Sequence, residues 1–403
     1  MKHTLKPIAA ALGLTLAASV PSLALADDEG KFMSDAKFKA DLRLRYEAVE
    51  QDNALKDADT LTLRTRLSFI SGSVNGFSVV AEIENNSNSF GLDDYSVPPS
   101  GVNPGVYSVI ADPKFTELDQ GFIQYKNKST TVKLGRQVIA LDGQRHVGHV
   151  GWRQDRQTFD AFGINSKLFD NAVTVKYYYV NKRNRIFSDD ADLDSKDHLL
   201  NISTNTALGK FTGYSYMLEV DNGTDNSLDT VGFSLIGKKL LDKAKLNYHL
   251  EYANQTSESG AGNFSADFWM FEAGLGFQKT TFKVGYESLG SDDGNYGFST
   301  PLATLHKFNG WADMWLSTPA QGLEDAYMKV LGSAAGGKYL IAYHKFSAES
   351  PSNGVSDLGS EINLQYTRKI NDIFSMGVKY AAYEAGDIKV DTDKLWLWLG
   401  AKF

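Results

Sequence analysis

Cysteine is absent from the 403-residue chain, which excludes a disulfide framework and thiolate metal sites. Proline is scarce, with 9 residues, as suits long uninterrupted strands. Positive charge is the minority: 41 Lys and Arg stand against 49 Asp and Glu, a formal net charge of -8. A surface of that sign does not grip nucleic acid. Past the N-terminus no run approaches the ~20 apolar residues that a membrane-crossing helix needs. The longest uncharged stretch, 95–111, carries Pro98, Pro99 and Pro104 and reads as loop. No long amphipathic helix, phosphate-cradling glycine loop or G-x-S-x-G nucleophile segment stands out.

What is present begins with an export signal. Lys2 and Lys6 precede an uncharged, weakly apolar stretch from Ile8 to Val20, and Ala24-Leu25-Ala26 supplies a small-x-small cleavage site. Residues 1–26 are therefore expected to be a signal peptide and residues 27–403 the mature domain.

Within that domain the recurring pattern has period two. Phe38, Ala40, Leu42, Leu44 and Tyr46 alternate with Lys39, Asp41, Arg43, Arg45 and Glu47, and Leu61, Leu63, Thr65, Leu67 and Phe69 alternate with Thr62, Arg64, Arg66 and Ser68. Ala244–Tyr252, Ile362–Tyr366 and Phe374–Tyr380 repeat the pattern. We count about eighteen such segments, joined alternately by short turns and by long polar loops, among them 88–115, 141–156, 188–195, 257–265 and 291–324. Hydrocarbon offers no partner to backbone N–H and C=O groups, so only helices and closed barrels cross a membrane. The expected fold is all-β: a transmembrane antiparallel β-barrel of about eighteen strands, with short periplasmic turns and long outer loops. An even strand number puts both termini in the periplasm. The last strand alternates to a terminal Phe403, which resembles the signal read by the outer-membrane assembly machinery. Lipid, lipopolysaccharide, that machinery and a small hydrophilic or anionic solute are the expected partners, with no cofactor and no nucleic acid.

Two loop segments resemble a known family. One runs from Gly135-Arg136-Gln137 through Asp142-Gly143-Gln144-Arg145-His146-Val147-Gly148 and Gly151-Trp152-Arg153-Gln154 to Gln157-Thr158-Phe159-Asp160-Ala161. The other is Thr300-Pro301-Leu302-Ala303-Thr304-Leu305-His306-Lys307-Phe308-Asn309-Gly310-Trp311-Ala312-Asp313. Both are similar to segments of the alginate-export family of outer-membrane channels. The resemblance implies an eighteen-stranded barrel and, for the founding members, an arginine-lined lumen that passes an anionic polyuronate. It leaves the solute of this chain open.

If the apolar faces meet lipid, Arg43, Arg45, Arg64 and Arg66 face the lumen. A symmetric first hairpin sets Arg45 across from Arg64 and Arg43 across from Arg66, and a symmetric turn at 72–76 sets Glu82 opposite Arg66 and Glu84 opposite Arg64. Arg64 and Arg66 then read as half of a self-neutralising ladder, while Arg43 and Arg45 read as an open carboxylate-binding pair. The 141–156 loop brings Arg145, His146, His149, Arg153 and Arg156, either as a constriction folded into the pore or as an outer loop braced by Asp142 or Asp155. Arg136, Lys307 and Asp313 complete the candidate pore-lining set. Trp311, Trp315 and Phe308 stack on sugar rings or pack their own loop. His146 and His149 lack an obvious third metal ligand, and Asp189, Asp190, Asp192 and Asp194 read as a solvated acidic loop rather than a calcium site. The function expected is passive, anion-preferring passage of acidic sugars, uronates or small organic acids. The alternatives are a general, weakly selective porin and an outer-membrane hydrolase.

Overall fold

The computed structural model describes residues 29–88 and 91–403. The signal-peptide reading lies outside them. A single turn of helix, Glu29–Ser34, precedes eighteen long strands. The first six are β1 (Lys37–Gln51), β2 (Ala58–Ile70), β3 (Phe77–Ser87), β4 (Phe115–Lys126), β5 (Thr130–Gln137) and β6 (Thr158–Leu168). The next six are β7 (Val173–Asn184), β8 (Leu193–Thr206), β9 (Gly209–Leu218), β10 (Ser227–Leu240), β11 (Lys245–Ser259) and β12 (Gly262–Phe277). The last six are β13 (Thr280–Leu289), β14 (Leu323–Ala334), β15 (Gly337–Ser352), β16 (Val355–Lys369), β17 (Phe374–Glu384) and β18 (Thr392–Lys402).

Each strand pairs antiparallel with its sequence neighbours, and β1 pairs with β18 from Asp41↔Lys402 to Gln51↔Thr392. Phe403 and Ala40 exchange backbone hydrogen bonds at the seam. The sheet is thus closed and leaves no edge among the long strands. Even-to-odd connections are short turns, and the start of β1 and the end of β18 lie at that end. The long loops lie at the other. We call these the turn end and the loop end.

Burial is inverted relative to a soluble protein. Leu67, Ile83, Ile123, Leu134, Val284 and Met328 are exposed, whereas Arg64, Glu84, Asn201 and Gln255 are buried. Period two puts the first set on the outer face of the pleat and the second on the inner. A belt of exposed aliphatic and aromatic side chains around a closed sheet has lipid as its natural solvent.

One expected loop is shorter than the sequence suggests, and a second hairpin also runs on past the lipid. Residues 257–265 are a continuing hairpin turned at 260–261, and β15 and β16 run on to a turn at 353–354. Beyond the lipid the outer face is polar, so the hydrophobic alternation fades while the backbone ladder continues.

One position shows how tightly the wall closes. Gly135 in β5 has φ +124, and a Cβ there would sit 2.3 Å from the Gly121 carbonyl oxygen of the facing strand. Gly135→Ala should cost about 1–3 kcal/mol, through a strained φ and a displaced partner strand. The check is the temperature at which the barrel's compact gel band converts to the unfolded one. An unshifted transition would show that the wall relaxes freely around a methyl group.

The loop crossing and the lysine-lined cavity

The lumen is not an empty cylinder. Loop 3 (138–157) and loop 7 (290–322) fold into it and zip together. Val147 and Leu302 form a parallel bridge; Gly148 N–H donates to the Leu302 carbonyl at 2.7 Å, and Thr304 N–H to the Gln144 carbonyl at 3.1 Å. Val147, Leu302 and Phe298 are essentially inaccessible to solvent. The crossing therefore carries its own apolar core, continuous with inward-facing Phe159, Phe268, Phe346 and Trp396 of the wall. The reading of loop 3 as an inward constriction is the one realised. Asp142 and Asp155 do not brace it from within: Asp142 accepts from Lys210 and Asn201, and Asp155 from the Ser188 N–H.

Loop 3 is pinned to the wall by its arginines. Arg145 is ion-paired with Glu287 of β13 and reaches Thr300 and Asn309 of loop 7. Arg153 lies 2.9 Å from Glu47 of β1 and 2.9 Å from Asp313 of loop 7. Arg156 is ion-paired with Glu82 of β3 and Asp119 of β4. Burial works against the charge on Arg153, but Glu47, Asp112 and Asp313 outweigh it and hold the guanidinium above its ordinary range. Buried arginines held by two or three acceptors each act as fasteners between loop and wall.

The first two hairpins differ in register from the symmetric expectation. Arg43 faces Arg64, Arg45 faces Thr62, and Asp41 faces Arg66. In the next hairpin Arg66 faces Glu84, and Glu82 faces Ser68. Both pairings are offset by two residues, because the connections at 52–57 and 71–76 are not symmetric about the assumed centres. A slip of two keeps every side chain on its face, so neutralisation survives with other partners. Arg66 lies 2.7 Å from Glu84, and Arg64 pairs with Asp41.

Arg45 is no open anion site. It is buried, ion-paired with Asp112 of loop 2 (88–114) and 3.2 Å from Glu47. Arg43 donates to Gln154 Oε1 at 2.8 Å and to the Gly151 and Arg153 carbonyls, so it too holds loop 3. Arg136 does not line the pore. It shares its pleat face with lipid-facing Leu134 and pairs with Asp160 at 2.8 Å on the outer wall near the loop end.

Loop 7 centres on Asp313. This buried carboxylate accepts from Arg153, from His306 Nδ1 at 2.7 Å and from Lys394 of β18 at 3.4 Å. Lys379 of β17 lies 2.6 Å from His306 Nε2, 3.7 Å from the Trp311 ring centre and 4.1 Å from that of Trp152. Trp152 in turn stacks on His306, with the rings 3° from parallel. With Nδ1–H given to Asp313, Nε2 of a neutral imidazole accepts from the Lys379 ammonium. Burial, aided by Lys379 and opposed by Asp313, pushes His306 down to about 3. Burial disfavours the Asp313 charge, yet His306, Lys394 and Arg153 together hold it well below the carboxylate range. Trp315 packs on Phe346 and Tyr383 of the wall, as loop packing requires.

Beneath the crossing, toward the turn end, lies a cavity of about 320 Å3. Loops 3 and 7 roof it with Arg145, Lys307, Phe308 and Trp311, and β9 and β11–β15 wall it, with Glu272, Lys283, Tyr327 and Lys329 among their contributions. Lys283 is 2.6 Å from Glu272. Lys307 donates to the Gly143 carbonyl at 2.7 Å, and Lys329 lies 3.9 Å from the Tyr327 ring centre. Among the described residues neither Lys307 nor Lys329 has a carboxylate within ion-pairing distance. Lys283, Lys329, Lys379 and Lys394 were not singled out from the sequence, although each stands at an inward position of its strand. No group of three or more potential metal ligands occurs among the described residues; His146 instead meets Glu251 and Tyr214.

Comparison with known structures places this architecture. Pseudomonas aeruginosa OpdK, solved with vanillate, superposes with a TM-score of 0.71 at 13% identity over 92% of this chain and 99% of its own. Pseudomonas aeruginosa OccK9 gives 0.72 at 13% identity, again over 92% and 99%. Acinetobacter baumannii OccAB4 gives 0.71 at 13% over 91% and 98%. At that identity the likeness concerns the fold, that of an outer-membrane porin-type barrel. No curated protein matches the sequence. The alginate-export family model matches residues 34–293. With that match over more than half of its length, and with an eighteen-stranded closed barrel crossed by the two loops that carry the sequence resemblance, the chain belongs to the alginate-export family.

Proposed function

We propose that the protein is a passive channel of the outer membrane, with its loop end outside and both termini in the periplasm, that prefers anions and passes small acidic solutes such as acidic sugars, uronates or small organic acids. One observation carries the preference: the lumen arginines are taken up in holding loops to wall, whereas Lys307, on the Gly143 carbonyl, and Lys329, over the Tyr327 ring, face the cavity under the crossing with no carboxylate of the described residues within ion-pairing distance. A cation in a narrow, partly desolvated passage lowers the barrier for an anion and raises it for a cation. The crossing itself favours small solutes over a polymer, because apolar side chains fill the middle of the lumen. Vanillate, the compound in the OpdK structure, is itself a carboxylate. The family and the fold are those of a channel, and the hydrolase reading is set aside.

The general, weakly selective porin is the second reading, favoured by the neutralised ladder of Arg64 and Arg66. Reversal potentials across a salt gradient separate the two. Wild type should reverse on the anion side, and Lys307→Gln with Lys329→Gln should move the anion-to-cation permeability ratio at least about threefold toward unity. An unchanged ratio in the double variant would remove the lysines from the account and leave the weakly selective porin.

A further inference from the structure

The lysines of the cavity continue toward the turn end. On each strand the inner face is fixed by its buried residues, and an even step along the strand reaches a lysine near the turns. Lys126 shares a face with buried Phe122, Lys167 with Ala161, Lys210 with Thr212 and Tyr214, Lys245 with Glu251, and Lys338 with Ala342 and His344. Lys126, Lys167, Lys245 and Lys338 are exposed and Lys210 is half-buried beside Asp142, and they come from strands spread around the barrel. Lys210, Lys245 and Lys283 line one vestibule of about 1280 Å3. Acidic residues in these turns are few: Asp170, Asp242 and Asp372.

The loop end has the opposite sign. Asp52, Asp57, Asp190, Asp225, Asp387 and Asp391 are exposed on four different connections. Lys56, Arg185 and Lys389 are the basic residues interspersed in those connections. The fixed charge therefore changes sign along the pore axis, from a lysine-lined vestibule through the loop crossing to an acidic rim.

From this arrangement we infer that the channel rectifies, conducting better when anions enter from the turn end and cations from the loop end. The inference rests on the reading of the lumen as an anion path. At about 0.1 M salt the Debye length is about 10 Å, so wall charges govern the ions that pass within that distance of them. Anions are then the majority carriers in the vestibule, and cations the majority carriers at the rim. A voltage positive on the loop side drives both toward the crossing and fills the pore with carriers. The opposite voltage draws both away and empties it. Between equal and opposite voltages, an acidic solute at the same concentration on both sides is driven more readily from turn end to loop end than the reverse.

The test is current–voltage recording on the full-length mature protein in planar bilayers with potassium chloride. Because the chain has no native cysteine, Lys243→Cys in a turn, reacted from one chamber with a membrane-impermeant thiol reagent, reports which way each channel is inserted. At about 0.1 M salt the current with the loop side positive should be at least about twice that at the equal and opposite voltage, and the ratio should approach one at about 1 M, where screening shrinks to about 3 Å. Lys126, Lys167, Lys245 and Lys338 changed together to Gln should flatten the ratio at low salt. Equal currents of both signs in a channel that still reverses on the anion side would overturn the polarity alone. A reversal potential on the cation side would overturn the anion path beneath it. Rectification that persists unchanged at high salt would assign the asymmetry to shape and overturn the charge argument. The salt series needs only the Lys243→Cys protein, so it decides even if the fourfold variant does not fold.

Discussion

Asp313→Ala is expected to release the loop crossing. The carboxylate is the shared acceptor of Arg153, His306 and Lys394, all buried. Its removal leaves Lys394 with no carboxylate and Arg153 with Glu47 and a distant Asp112. Breaking a buried ion pair from one side typically costs about 3–5 kcal/mol, because the surviving charge keeps its desolvation penalty. That cost falls on the docked state of loops 3 and 7 rather than on the wall, whose eighteen strands are held by backbone pairing. The expected result is a barrel with normal heat-modifiable migration, a single-channel conductance raised by about twofold or more, and frequent closures as the freed loops enter and leave the lumen. Asp313→Asn should give a smaller rise, since the amide oxygen still accepts one bond. Wild-type conductance in the alanine variant would show that the apolar contacts of Val147, Leu302 and Phe298 suffice to keep the crossing in place.

Acidification should loosen the same crossing. His306 is neutral when docked, with a value of about 3 against an ordinary 6.5. A free loop binds the proton that the docked loop excludes, so docking is at full strength above about pH 6.5 and weakens as pH falls toward 3. The slope is up to about 1.4 kcal/mol per pH unit. Asp313, depressed in the docked state, adds to the loss only below its ordinary value of 3.8. Of these two groups, His306 is the one that titrates between pH 6 and pH 4. Conductance or proteolytic nicking of loop 7 should rise across that window, and His306→Gln should flatten the response. Its amide can donate to Asp313 and accept from Lys379 without titrating. An equally steep response in His306→Gln would place the proton elsewhere.

The wall was legible in the sequence and the filling of the lumen was only partly so. Alternation such as Leu61–Phe69 reports a surface with lipid on one side and water on the other, and it gives strand number, sidedness and closure together. It does not report register. Arg64 and Arg66 keep their inward direction under a slip of two residues, but Arg66 takes Glu84 in place of the expected Glu82, and Arg64 adds Asp41 while Glu84 stays within 3.9 Å. Nor does it tell a fastener from a binding group. Arg43 and Arg45 looked unpaired because their acceptors, Asp112, Gln154 and the Trp152 carbonyl, lie in loops remote in sequence. Arg136 was misjudged for a local reason. A charged side chain on the outer face is tolerated near the loop end, past the apolar belt, when a neighbour such as Asp160 offsets it. The lysines of the lumen were visible as inward positions of their strands, but their scatter over the chain hid that they converge.

The partners of the crossing impose an order on how the molecule is made. Glu47 belongs to the first strand, Lys379 and Lys394 to the last two, and all of them reach into the group around Asp313 and His306. That group cannot be complete until the two extremities of the polypeptide have met. During insertion the nascent sheet must hold a cluster of unmatched buried charges open to water, and the passage acquires its final bore only after the seam is sewn.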